Sequence, residues 1–137
     1  MLGGTALSLS QIPFSSSSPY LIPVAMHFGW TTAATLVNLN GSLAMKEEIS
    51  ETTMIAAGHA SSLIATTLGV GVTLLYSLPA YGFTIAWALA ACANGMRVKP
   101  DSEKASANLK TGAKIQKLLL TAGSLLSAGA SVYTLVV

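Results

Sequence analysis

Charge is what this chain lacks most. Of its 137 residues, 9% are Asp, Glu, Lys or Arg, where a soluble domain carries about a quarter. The seven basic and five acidic side chains fall entirely within residues 46–51 and 97–117, and residues 1–45, 52–96 and 118–137 contain none. Uncharged runs of that length exclude an ordinary water-facing surface and fit a chain that lives in lipid. Cysteine is nearly missing as well. Cys92 stands alone, so no internal disulfide can form, and within an apolar run it reads as a small packing residue. No acidic residue lies inside an uncharged run, which leaves a proton relay or ion pathway without a carboxylate. There is no HExxH helix, no Gly-rich phosphate loop and no nucleophile–base pair, so the chain reads as a non-enzyme. A net charge of +2 gives no basis for a nucleic-acid partner.

What is present is apolar: 52% of the residues. Four segments can cross a hydrocarbon core, a task of roughly 20 helical residues. They run over about 19–45, 52–77, 80–96 and 118–137, with an amphipathic, surface-lying lead-in at 102–117. Residues 1–18 lack the basic region of a secretory signal and the arginines of a transit peptide. They read as an uncharged arm along the membrane surface. Lipid cannot satisfy open strand edges, and the alternation of a barrel strand is absent. The expected fold is therefore all-α, a polytopic transmembrane bundle of four spans in one domain. Four spans also place both charged segments on one face, with both termini and the turn at residues 77–79 on the other. Arg97, Lys99, Lys104, Lys110, Lys114 and Lys117 make six of the seven basic residues. The positive-inside rule assigns their face, with that of residues 46–51, to the stroma, matrix or cytosol.

Local signals support these spans. Pro19 and Pro23 open the first helix, where missing backbone donors matter least, and Asn38, Asn40 and Gly41 loosen its far end. Ser50 is an N-cap candidate with Glu51 placed for the helix dipole. Pro79 starts the third helix, Asn94-Gly95 stops it, and Pro100 forbids continuation. Asp101 or Ser102 caps the last helix, on which Lys110, Lys114 and Lys117 share one face. Gly58, Ser62, Ala65 and Gly69 line one stripe of the second helix, and Gly123, Ser127 and Ala130 one of the fourth. Small stripes let helices approach in lipid. Packing within the bundle is their expected role, with a surplus stripe left to dock another subunit.

Polar side chains inside spans are costly and mark candidate sites. His27 and His59 are the titratable ones, with Asn38 and Asn40 nearer the charged side. Counted from the charged loop, the histidines lie at depths of roughly 28 and 12 Å, too far apart to share one haem. Either alone can serve as axial ligand to a tetrapyrrole metal; a hydrogen bond to a neighbouring helix is the expected role. Trp30 and Trp87 lie inside their spans rather than at the interfacial belt. That suits core packing, the expected role, or a flat ligand.

Pro23, Gly29-Trp30, Ala34-Thr35 and Asn38, followed later by Trp87-Ala88-Leu89, make a pattern. It resembles that of divergent tryptophan-rich sensory proteins, the translocator protein (TspO/MBR) family, over about residues 19–125. The resemblance implies a membrane helical bundle associated with tetrapyrroles and sterols, with Trp30 and Trp87 facing the bundle. The matched segments correspond to the C-terminal part of the family pattern, so a cavity built between early and late helices is expected to be incomplete.

Two functions follow as expectations. The first is a non-catalytic accessory subunit of a large membrane complex, with a photosystem or antenna assembly of the chloroplast thylakoid as favoured host and a respiratory complex of the inner mitochondrial membrane as alternative. Its partners would be lipids, other integral subunits and pigments (chlorophyll or carotenoid), met through His27, His59, Trp30, Trp87 and Asn38. The second is a translocator-type protein that binds or transports a tetrapyrrole, sterol or lipid. A membrane-shaping role for the lysine face ranks third.

Overall fold

Each helix begins where the chain offers a cap or a proline. Ser50 adopts extended backbone and its Oγ accepts from the Thr53 amide at 3.2 Å, with Glu51 in the first turn where a negative charge suits the helix dipole. Pro79 is the first residue of its helix, where no donor is needed. Pro23 lies in the first turn of another. Ser106 accepts from the Leu109 amide at 3.0 Å and also donates to the Glu51 carboxylate, tying two helix starts together.

These signals produce four helices in a computed structural model that describes residues 20–46, 48–96 and 106–137. They are α1 (Leu21–Ala44), α2 (Glu51–Tyr76), α3 (Pro79–Gly95) and α4 (Ala107–Val136), and no strand occurs among the described residues. The arm at 1–18, Pro19 and the expected caps Asp101 and Ser102 lie outside them. α2 and α4 are long and apolar enough to cross a membrane. α3 has 17 residues, about 26 Å of helix. α1 has 24, its apolar run diluted by Thr31, Thr32, Thr35, Asn38 and Asn40. The architecture is the all-helical membrane bundle that the silent charge pattern implied.

One expectation is refined: the segment expected as an amphipathic lead-in is, from Ala107 on, continuous with the last span, as α4 runs unbroken from Ala107 to Val136. Opposite the exposed lysines, Gly112 lies against Ile55, and the Gln116 side chain bonds the Gly58 carbonyl at 3.0 Å. Those contacts hold the first turns of α4 on α2.

Small residues let the helices close. α4 packs on α2 and α3, and α1 packs on α2 and α3 without approaching α4 among the described residues. A Cβ at Gly69 would sit 2.7 Å from Ile85 Cγ2, and one at Gly123 would run into Thr66. One at Gly82 would meet the Ser131 and Thr73 hydroxyls. Ser62, Ala65 and Gly69 on α2 are buried, as are Gly123, Ser127 and Ala130 on α4. Both stripes therefore pack inside the chain among the described residues, the first of the two roles expected of them. α1 crosses α3 at Gly29, where a Cβ would lie 2.9 Å from Thr84 Cβ and 3.1 Å from the Tyr81 carbonyl oxygen. The rings of Phe28 and Tyr81 pack beside it at 5.1 Å, and the Tyr81 hydroxyl donates to Thr32 Oγ1 at 3.4 Å.

Ser77 and Leu78 alone join α2 to α3. Ser77 is left-handed, φ 50°, and its amide and that of Leu78 both donate to the Thr73 carbonyl, closing the helix end. Leu78, 2% exposed, plugs the bundle beneath the turn. Outside, Leu63, Leu75, Leu118, Leu125 and Leu126 stand exposed, a surface suited to acyl chains.

Candidate functional site

The two-residue turn pins α2 to α3 at one end, and the Gly82 and Gly69 crossings keep them together for several turns. Among the described residues α1 and α4 do not meet. The bundle opens toward its charged end around a cavity of about 400 Å³, within the roughly 300–1,000 Å³ of small-molecule sites. Ile85, Ala65 and Leu120 line its deep part. Leu43, Met54, Met96 and Leu109 line the part nearest the charged segments. Among the described residues no charged side chain contributes to the wall. Residues from all four helices of the one chain line the cavity, and it stays partly open to the outside.

One polar patch interrupts this apolar wall, at the α2–α4 seam. His59 Nε2 lies 3.2 Å from the Gly112 carbonyl oxygen. The Gln116 amide nitrogen donates to the Gly58 carbonyl at 3.0 Å and to Ser62 Oγ. Ser62 donates to the same Gly58 carbonyl at 3.1 Å. Gln116 Oε1 is buried without a hydrogen-bond partner among the described residues, a state that costs about 1–3 kcal/mol. Asn40 and Ser61 also reach the wall, and Asn40 Nδ2 donates to the Leu36 carbonyl at 2.9 Å.

Of the candidate pigment or tetrapyrrole contacts His27, His59, Trp30, Trp87 and Asn38, the structure brings one into the cavity. His59 lines it and makes the interhelical bond expected of it. His27 is exposed on α1 toward the opposite end, so the two histidines share no site. Asn38 is exposed, and its carbonyl accepts from Ser42 at 2.9 Å; Asn40, two residues on, takes the inward position. Ala88 and Leu89 of the recognised motif are buried and line the wall. Gln116 and Gly112 carried no signal beyond lying opposite the lysine face.

Trp30 and Trp87 correct a second expectation. They do not face the bundle interior. They are 50% and 62% exposed and pack on each other across α1 and α3, ring centroids 5.9 Å apart. Gly29 and Ala88 take the inward positions beside them, and side chains that small allow the close crossing that Trp would forbid. Such a pair contributes about 0.5–1.5 kcal/mol beyond its buried area. As these are the chain's two tryptophans, its fluorescence should be strongly quenched by lipids brominated near mid-chain. Emission untouched by such lipids would put the pair inside protein.

A family model described as TSPO-like protein matches residues 7–126. No curated protein and no solved structure matches the chain. The match takes in residues 7–18, part of the segment read as an arm.

Proposed function

The chain belongs to the TSPO-like protein family, and from that premise we propose that this integral membrane protein binds a small, mostly apolar ligand between its helices. One observation carries this reading: a cavity of about 400 Å³ lined by all four helices of a single chain. Its wall is apolar, with a polar patch at His59 and Gln116 that can orient a guest. The role is translocator-type binding or carriage, without chemistry on the ligand.

An accessory subunit of a photosynthetic or respiratory complex would keep a small-residue stripe free for its neighbours. Both stripes here pack within the chain, which favours the free-standing binder. His59, with a ring nitrogen to offer a metal, fits the donor chemistry of a tetrapyrrole's axial ligand.

The test is ligand retention by purified protein in lipid nanodiscs, read by native mass spectrometry and thermal stability against porphyrins, sterols and fatty alcohols. A one-to-one complex with a raised melting temperature is expected. Absence of any complex, together with co-purification in fixed ratio with unrelated subunits, would return the accessory role.

We also propose that all four helices cross, so that Lys46 and Lys110 share one side and Ser77 lies on the other. In a Cys92→Ser background, single cysteines at 46 and 110 should react with a membrane-impermeant maleimide from the same side. A cysteine at 77 should react only from the opposite one. Labelling of 46 and 110 from different sides would break the four-span topology.

A further inference from the structure

We infer that residues 36–44 of α1 form a hinged wall of the cavity, which swings on the threonine turn at 31–35 and opens the site sideways into the bilayer. The inference rests on the ligand-binding reading above for what passes through the opening. The motion itself is independent of any guest.

α1 is anchored over only part of its length. Its buried residues are Ala25, Gly29, Thr31, Thr32 and Ala33. Its ties to α3 lie in the same stretch: Gly29 against Thr84, the Phe28–Tyr81 and Trp30–Trp87 ring pairs, and the Tyr81 hydroxyl on Thr32 Oγ1. From Ala34 to Ala44 no residue is buried, yet Leu36, Asn40 and Leu43 line the cavity. Side-chain hydrogen bonds of this stretch return to its own backbone. Asn40 donates to the Leu36 carbonyl at 2.9 Å and Ser42 to the Asn38 carbonyl at 2.9 Å. The other walls are tied to one another. His59 and Gln116 join α2 to α4, and Ser124 of α4 donates to the Ala86 carbonyl of α3 at 2.8 Å. α1 is thus the wall that carries no polar tie to a neighbour along its cavity-lining end.

The junction between the anchored and free parts is a run of threonines. The Thr31 and Thr32 hydroxyls both donate to the Phe28 carbonyl, at 3.0 and 2.9 Å, and the Thr35 hydroxyl donates to the Thr31 carbonyl at 2.7 Å. Hydroxyls bonded back onto the preceding turn favour bending of a helix. In lipid they do more. A helix that opens locally strands carbonyls that no water can reach, and threonine hydroxyls keep those carbonyls paired. Bending at 31–35 therefore costs less than in the apolar turns before it, and it falls where the anchored part of α1 ends.

The test reads distances by double electron–electron resonance on nanodisc-held protein in a Cys92→Ser background. Spin labels go on positions that stand exposed. The pair Leu39→Cys with Leu118→Cys spans the free part of α1 and α4, and Ile22→Cys with Val132→Cys spans the anchored part. Two distances are expected for the first pair and one narrow distance for the second. Thr35→Val, at an exposed position, leaves the Thr31 carbonyl unpaired when the wall is open. It should shrink the longer-distance population about fivefold, one hydrogen bond's worth. With Cys92 restored, which lines the cavity from α3, Thr35→Val should also slow alkylation by N-ethylmaleimide about fivefold. One narrow distance at both pairs would overturn the hinged wall, and two at both would make α1 a rigid rod without a hinge. An alkylation rate unchanged by Thr35→Val would overturn the wall as the way in. Each of these failures leaves the ligand-binding reading standing, because no arm of the test requires a bound guest.

Discussion

Gly82→Leu should leave the bundle unable to close, lowering stability by more than about 3 kcal/mol, beyond the usual range for an overpacked core. Gly82 is where α3 passes between α2 and α4 at closest approach. The first carbon of any side chain there would meet Ser131 and Thr73 hydroxyls and stand 3.1 Å from Thr73 Cγ2. Alanine has one escape. Neither the Thr73 nor the Ser131 hydroxyl is locked by a second helix, and Thr73 Oγ1 has no hydrogen-bond partner among the described residues, so Gly82→Ala should cost only about 1–3 kcal/mol. Leucine adds three more carbons and has no free direction. Gly71 and Gly129 give the contrast, because a Cβ at either meets nothing within 4 Å. There alanine should be neutral or stabilise by up to about 1 kcal/mol through helix propensity. Cys92, half-buried and alone, supplies the readout: a thiol-reactive fluorogenic maleimide reports its exposure as detergent-solubilised protein is heated. A Gly82→Leu protein that melts within a degree or two of wild type would show that the seam is looser than the geometry demands.

The glycines and small residues that build this seam were legible in the sequence as stripes at helical spacing, and so was the all-helical architecture, from where the twelve charges do not fall. The direction each stripe faced was less legible. In lipid the outside of a bundle is as apolar as its inside, so hydrophobic periodicity loses its power to say which face is buried. Trp30 and Trp87 suffered from this, two large apolar side chains that would be core residues in water and here stand on the surface. Asn38 and Asn40 differ by two residues, about 200° around a helix, and the sequence offers no reason to choose the second. Gln116 was hidden among lysines. Its burial depends on Gly112, one turn earlier, admitting Ile55. The cavity is lined from all four helices, a relation between helices that no single helix encodes.

Filling that cavity should abolish ligand binding without harming the fold. Ala113 is half-buried on the α4 wall, next to the Gly112 contact with Ile55 and facing empty space. A phenyl ring placed there extends into volume that no side chain occupies, so it avoids the clash that makes Gly82→Leu destructive and adds apolar contact instead. Ala113→Phe is expected to weaken binding by about 10–100-fold, or 1.4–2.8 kcal/mol, with a melting temperature equal to or above that of wild type. Trp30→Phe serves as the counterpart, since its side chain lies on the outer surface, paired with Trp87, and does not line the cavity. That variant should bind as wild type does. The two substitutions separate the internal site from the exposed aromatic pair, the other place on this molecule where a flat apolar ligand could rest. If Trp30→Phe loses binding and Ala113→Phe keeps it, the ligand sits on the lipid-facing surface between α1 and α3, and the cavity is a packing gap. If Ala113→Phe alone loses it while gaining stability, the volume at the charged end of the bundle is the binding site, and its small apolar wall residues are there to leave that space open.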